Sequence, residues 1–415
     1  MPTEELVNPP YSLKYVEECS LDQVIQRACF VVDMKPVSKL HEDNVLDILH
    51  KLPAKSLAKF KCVSRRWREY ISSPSVHDCC RSRRWKPTPH MMGFFFQDQE
   101  SRRRLQIRFL FSSTKKEKMD NDLDESVSFR GRTAIFVASS NGFLLCNQNR
   151  NHQMRYYIYN PATKQWAALP KPPKCYGSVA TGFVCNDNTC DPYKDSICYK
   201  VVRFGIPKCF IDIQSIVTIE CFSSETGAWI TVNLIPDVPL PLFPTNDPAV
   251  VIDEVFYWLD IGPRIIACDM VQRQCWVMNF PGEPKEVSSM CLAVLNGHLH
   301  YGIADDVSIE IWSLEGDFRC RLARWHMKHR VSVVSLANRY PEIFGLVDNL
   351  IISAVVGFHP ADEHRIVYLN LRGKVISYHI DNGIVEVVHD FGAPEWMTRN
   401  YKFFPYEWHE WPRVI

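Results

Sequence analysis

Hydrophobic and polar positions divide the chain into two regimes. From Leu40 to Ile71 apolar residues recur at helical spacing. Val45, Ile48, Leu49 and Leu52 fall at i, i+3, i+4 and i+7, one stripe of a helix that Asp43 is placed to cap. Pro53 lacks an N–H and biases Leu52 away from the α region, so the helix ends there. Leu57, Phe60, Val63 and Trp67 form a second stripe, with Lys55, Lys59, Lys61, Arg65, Arg66 and Arg68 between them as a basic solvent face. The first 39 residues carry only a weak helical pattern around Leu21, Val24, Ile25 and Ala28, read as a short helix or a loosely tied arm. From about His90 onward the pattern is that of short strands separated by turns.

The strand half repeats a phrase: a short apolar strand, a turn, a second strand, and a turn followed by an aromatic. Copies run from Gly142 to Pro170, Val217 to Leu234, Asp253 to Phe280, Asn296 to Phe318 and His364 to Val388, with a degenerate one in Met91–Ser112. The turns are Asn160-Pro161-Ala162-Thr163, Ser224-Glu225-Thr226-Gly227, Leu314-Glu315-Gly316-Asp317 and Asp381-Asn382-Gly383. Asn, Asp and Gly tolerate the conformations that join antiparallel strands. Trp166, Trp229 and Trp276 follow such turns and are expected to wedge between neighbouring sheets. A period of roughly 50 residues matches a propeller blade, and a closed ring of small sheets leaves few exposed edges. The expectation is a mainly β chain: a small helical module followed by a β-propeller, six-bladed or, alternatively, seven-bladed.

Composition narrows the classes. Of 415 residues, Lys and Arg number 48 against 47 Asp and Glu, a balance that argues against a dedicated nucleic-acid binder. The acidic start Met1-Pro2-Thr3-Glu4-Glu5 is no secretory signal, and no apolar run is long enough to span a membrane. The expected compartment is nucleus, cytoplasm or both. Sixteen cysteines include no Cys-x-x-Cys pair, so they read as reduced thiols acting as small core residues. Arg81, Arg83, Arg84 and Lys86 around Trp85 read as a solvated linker face.

The helical block is too short to bury both of its stripes. Burying one Leu or Phe side chain is worth roughly 1.5–3 kcal/mol, so a surface outside the block is expected to complete it. The block resembles an F-box, the module by which substrate receptors attach to a Skp-family adaptor and, through it, a cullin. The matching residues are Leu40, the stripe from Asp43 to Leu52-Pro53, Lys55-Ser56-Leu57, Phe60, Cys62-Val63-Ser64 and Trp67. His41 departs from the pattern, where the family usually has Pro. The resemblance implies an adaptor contact at Leu40, Val45, Leu46, Leu49, Leu52, Pro53 and Leu57, and a module core at Ile48, Phe60, Val63 and Trp67. The strand half carries no Gly-Gly and no Trp-Asp pair, unlike standard kelch and Trp-Asp arrays. It is similar instead to the F-box-associated, kelch-like domain of plant F-box proteins, through Asn160-Pro161-Ala162-Thr163-Lys164-Gln165-Trp166. The organisation expected is an arm at 1–39, an F-box module at 40–80, a linker at 81–90 and a propeller-like domain at 91–415.

Sequence motifs for chemistry are absent. There is no phosphate-cradling Gly loop, no G-x-S-x-G elbow and no H-E-x-x-H. No catalytic residue, metal site or cofactor is expected. His298 and His300 alternate on a strand and share a face, without a third ligand at fixed spacing. His326 and His329 sit in a charged stretch read as a surface loop or short helix, and Asp305-Asp306 reads as a turn. Glu407, His409 and Glu410 lie in an aromatic tail read as packed on a blade. The resemblances imply a non-catalytic substrate receptor of a Skp–cullin–F-box ubiquitin ligase with an unnamed target protein. Two alternatives stay open: a propeller enzyme or ligand-binding module braced by the helices, and an F-box scaffold outside a ligase.

Overall fold

The structure is a computed structural model. It describes residues 60, 65–71, 90–98, 108–111, 134–149, 152–161, 164–186, 197–207, 215–237, 242–245, 247–262, 264–281, 290–316, 323–345, 352–359, 365–371, 373–392 and 401–408. The chain divides into two compact units, Met1–Arg83 and Arg84–Ile415.

In the first unit the described element is helix α1 (Arg65–Ile71). Its solvent side carries Arg65, Arg68 and Glu69, with Arg65 donating to Glu69 one turn on at 3.2 Å. Its inner side carries the buried Ile71 and the half-buried Trp67.

The second unit is built from antiparallel sheets in chain order. β3 (Ile135–Ser140), β4 (Phe143–Asn147), β5 (Tyr156–Asn160) and β6 (Gln165–Ala168) form one. β7 (Val179–Asn186), β8 (Cys198–Gly205), β9 (Val217–Ser223) and β10 (Ala228–Pro236) follow, then β11 (Val250–Ile252), β12 (Val255–Leu259), β13 (Arg264–Asp269) and β14 (Gln274–Asn279). These two groups fuse into one eight-stranded sheet, because β10 pairs in parallel with β14 at Ile235↔Gln274 and Pro236↔Cys275. Next come β15 (Met290–Leu295), β16 (His298–Ala304), β17 (Ser308–Glu315) and β18 (Arg324–Ser332). Two short helices, α2 (Val333–Arg339) and α3 (Pro341–Phe344), lead to β19 (Ile352–Phe358), β20 (Ile366–Leu371), β21 (Lys374–His379) and β22 (Val385–Asp390). The remaining sheet joins the two ends of the unit: β1 (His90–Asp98) lies between β2 (Arg108–Phe111) and β23 (Tyr401–Trp408).

Two local rules repeat from sheet to sheet. Tight two-residue turns connect first and second strands at Asn141-Gly142, Asp253-Glu254 and Asn296-Gly297, all with positive φ, the turn whose twist suits a hairpin. Third and fourth strands are joined through a single left-handed residue, Lys164, Gly227, Arg273 or Gly383. Burial is radial: β4 and β12 are buried along their whole length, whereas the terminal strands β6, β10 and β18 are mostly exposed.

The core consists of layers between successive sheets. Phe95 of β1 meets Phe136 of β3 edge-on at 5.5 Å. Leu145 and Ile158 pack with Phe183 and Val201. Phe204 packs edge-on to Trp258 at 5.2 Å. Tyr257 and Trp276 pack with Leu299 and Leu314, and Ile309 and Ile311 with Val367 and Leu369. Phe94 of β1 then meets Tyr368 of β20 at 4.9 Å, so the chain of contacts closes on itself. Mainly β, with the strand half a β-propeller, is the architecture observed.

Three expectations are corrected. The RWHMKHR stretch is not a loop or helix but strand β18, paired with β17 from Ser308↔Ser332 to Glu315↔Arg324. An outermost strand keeps its backbone ladder on one side while its side chains meet water, so charge does not argue against it. Trp229 and Trp276 do lie between sheets, against Tyr156 and Leu299 respectively. Trp166 does not: it stands on outermost β6, 39% exposed, against Tyr157 of its own sheet. Cys146, Cys221, Cys268 and Cys275 are reduced and buried as expected, but Cys198 is disulfide-bonded, with its partner outside the described residues.

Candidate functional site

The expected adaptor contacts Leu40, Val45, Leu46, Leu49, Leu52, Pro53 and Leu57 lie outside the described residues, as do Ile48 and Val63 of the module core. Phe60 and Trp67 are described. Their rings lie 5.7 Å apart, and Phe60 is 6% exposed. The two rings, which the F-box resemblance assigns to the module's core, are in contact with each other. The basic cluster at 81–86 and residues His409 and Glu410 also lie outside the described residues.

In the propeller, a cleft of about 440 Å³ opens between the β15–β18 and β19–β22 sheets. Strand register explains which side chains reach it. His300 pairs with Ser313, and Ser313 with His326, so one row crosses β16, β17 and β18 on a single face. Glu315 is two residues from Ser313 and shares its face. The irregularity at Ile311/Trp312 leaves Lys328 as an extra residue without a register partner, and its ammonium closely contacts Glu315. That hydrogen bond, with the charges of Lys328, His326 and His298, holds the Glu315 carboxyl below its ordinary range. His326 Nε2 lies 3.9 Å from the same carboxylate.

The opposite wall comes from the ends of β19, β20 and β21, with Phe358, His359, Arg365, Ile366 and Ile380. Arg365 holds a positive φ of 37° and pairs with Asp381 at 2.9 Å. Deeper between the sheets, His329 Nε2 lies 2.7 Å from the Tyr378 hydroxyl. Burial, with the nearby Arg365 charge, lowers the His329 pKa, and burial raises that of Tyr378.

His298 and His300 therefore do share a face, and both line the cleft. Among the described residues no group of three or more His, Cys, Asp or Glu side chains is arranged to hold a metal ion. Asp305 forms the expected turn, accepting from the Val307 and Ser308 amides at 2.9 and 2.7 Å. Sequence reasoning missed Ser313, Lys328, His359 and Arg365. Two of these come from the next sheet, and the other two depend on register and a bulge. The one sequence signal was the alternation of His298 and His300.

Comparison with known proteins gives two family matches. A family described as "F-box protein At3g26010-like, beta-propeller" matches residues 120–400, and the F-box domain matches residues 37–79. F-box protein At5g03970 of Arabidopsis thaliana is 26% identical over 393 residues, covering 89% of this chain and 88% of that protein. F-box protein At5g07610 of the same plant is 24% identical over 380 residues, covering 84% and 85%. The putative F-box/kelch-repeat protein At4g22430 of that plant is 24% identical over 371 residues, covering 80% and 76%. Among solved structures, the computationally designed Ika8 protein aligns over 61% of each chain at 12% identity with a TM-score of 0.31, too low to bear on the fold.

Proposed function

The chain belongs to the F-box proteins with an At3g26010-like β-propeller, and from that premise we propose that it is the target-recognition subunit of a Skp–cullin–F-box ubiquitin ligase. The observation that carries the reading is the F-box match over residues 37–79, which contains both apolar stripes, Val45 to Leu52 and Leu57 to Trp67. In this reading Leu40, Val45, Leu46, Leu49, Leu52, Pro53 and Leu57 dock on the Skp-family adaptor. Ile48, Phe60, Val63 and Trp67 hold the module together. The propeller binds the target protein, in the nucleus, the cytoplasm or both.

The contribution is proximity, with no bond made or broken by this chain. Holding the target in the same assembly as a ubiquitin-loaded enzyme raises the effective concentration of a target lysine near the reactive thioester. We read the propeller as six-bladed. The eight-stranded sheet counts as two blades fused along β10 and β14, and β23–β1–β2 as the blade that closes the ring.

Affinity capture tests the docking. The intact chain is compared with a variant carrying Leu49→Asp and Leu52→Asp. The expected result is loss of both adaptor and cullin with a folded propeller. Adaptor co-purification that survives removal of residues 1–80 rules the docking mode out.

A further inference from the structure

We infer that the cleft between the β15–β18 and β19–β22 sheets recognises a peptide of the target in which an acidic side chain stands next to an apolar one. This rests on the reading of the propeller as a target receptor and adds the chemistry of what it selects. The cleft converges donors on one volume. Lys328, Arg365, His298, His300, His359 and Ser313 all line it, against a single carboxylate, Glu315. That carboxylate is already engaged by Lys328, with His326 close by. Arg365 gives one terminal nitrogen to Asp381, and a guanidinium carries five N–H donors in a fork that matches a carboxylate. Its backbone is held at a positive φ, an uncommon conformation for a residue other than Gly and one that recurs at ligand clamps.

The rest of the lining is apolar: Leu295, Ile311, Phe358, Ile366 and Ile380. A purely apolar ligand would strip water from the donors without replacing its hydrogen bonds, and a bare anion would leave the apolar wall wet. A carboxylate beside an aliphatic or aromatic side chain satisfies both. A volume of about 440 Å³ falls in the usual range for ligand sites and suits side chains better than a folded domain. A peptide is favoured over a small molecule because β18, which supplies Lys328, is the terminal strand of its sheet. An edge strand offers backbone groups along which an extended segment can lie.

The test uses the full chain co-purified with a Skp-family adaptor and an array of short peptides. The central position is Glu, Gln, Lys or phosphoserine, with randomised apolar neighbours. The expected result is retention of the Glu series, with the Gln and Lys series at least tenfold weaker. Arg365→Gln is expected to reduce Glu-series binding at least tenfold. Glu315→Gln, which releases Lys328, is expected to strengthen it several-fold, an opposite sign that a merely structural role would not produce. Both positions are solvent-accessible, and thermal midpoints within a degree or two of the parent confirm intact folds. Equal retention of the Glu and Gln series overturns the inference, as does an Arg365→Gln variant that binds like the parent. Retention of phosphoserine without Glu replaces it with a phosphopeptide site. Competition by free acetate or inorganic phosphate without any peptide preference replaces it with a small-anion site. Adaptor capture is read on the same samples. Its loss with peptide selectivity intact sinks the ligase reading alone, and the reverse sinks the cleft alone.

Discussion

Phe358 at the end of β19 presses its ring onto Gly302 of β16, so closely that a Cβ on Gly302 would stand 2.6 Å from the ring. The same device recurs where Phe256 faces Gly182, at 2.5 Å, and where Phe94 faces Gly357, at 3.0 Å. Neighbouring sheets approach by setting a ring into a position with no side chain. Phe358 also lines the cleft, so the contact that joins the two sheets shapes the candidate site. Gly302→Ala is expected to destabilise the protein by about 1–3 kcal/mol, the usual effect of overpacking a filled core. Adding Phe358→Leu should recover part of the loss. Chemical denaturation of the two single variants and the double variant checks this, and strictly additive effects would refute the contact as the cause.

Arg203 and Glu220 form an ion pair with both side chains fully buried, Nε to Oε2 at 3.3 Å. Arg203 also donates to the carbonyls of Gln153 and Lys174 at 2.7 and 2.9 Å, and Glu220 accepts from the Lys174 amide at 2.9 Å. The pair thus ties two loops to β8 and β9. Removing one partner strands a buried charge, so Arg203→Met is expected to cost about 3–5 kcal/mol. Arg203→Met together with Glu220→Met should be far less harmful than the sum of the singles. Urea unfolding of the four proteins gives the coupling, and its absence would show that packing alone explains the loss.

Thiol chemistry separates surface from core. Cys175 is exposed, whereas Cys146, Cys268 and Cys275 are completely buried. Burial pushes the Cys146 thiol up strongly and Cys221 up to about 11. In the native protein a thiol reagent at pH 8 is expected to modify Cys175 well before these four, because reaction requires both access and thiolate. Peptide mapping at short times checks the order, and early labelling of Cys146 would contradict its place in the core.

What was legible in the sequence was local. The turns at Ser224-Glu225-Thr226-Gly227 and Asp381-Asn382-Gly383 do place Gly227 and Gly383 at positive φ, and Trp229 and Trp276 take up inter-sheet positions. Phe60 and Trp67, seven residues apart on the second helical stripe, have their rings 5.7 Å apart. Strand β18 was not legible, because five of its nine residues are Arg, Lys or His and an outermost strand shows no clean alternation of apolar and polar positions. The cleft was half legible. His298 and His300 lie two residues apart on one strand, but His359 and Arg365 reach them from the next sheet. Contacts between sheets leave no periodic trace in either strand. The fusion of β10 with β14 was likewise invisible, since it depends on two backbone pairs rather than on side-chain pattern.

Glu407 near the end of β23 supplies a pH-dependent term. It pairs across the sheet with Met91 and is half-buried. Burial raises its carboxyl pKa from 4.5 to about 7. A carboxyl whose pKa is raised by folding favours the folded state while protonated. Its contribution is therefore fully present below about pH 4.5 and is lost as pH rises through about 7. Glu407→Gln is neutral throughout and escapes that loss. The variant should gain on the parent between pH 4.5 and 7 and hold a constant margin above, on the order of 1–3 kcal/mol. Urea denaturation of both proteins at pH 4.5, 6 and 8 measures the margin directly. Subtracting one protein from the other removes the titration of every other group. A margin independent of pH would mean that the Glu407 carboxyl titrates alike in the folded and unfolded protein, so that burial does not raise its pKa.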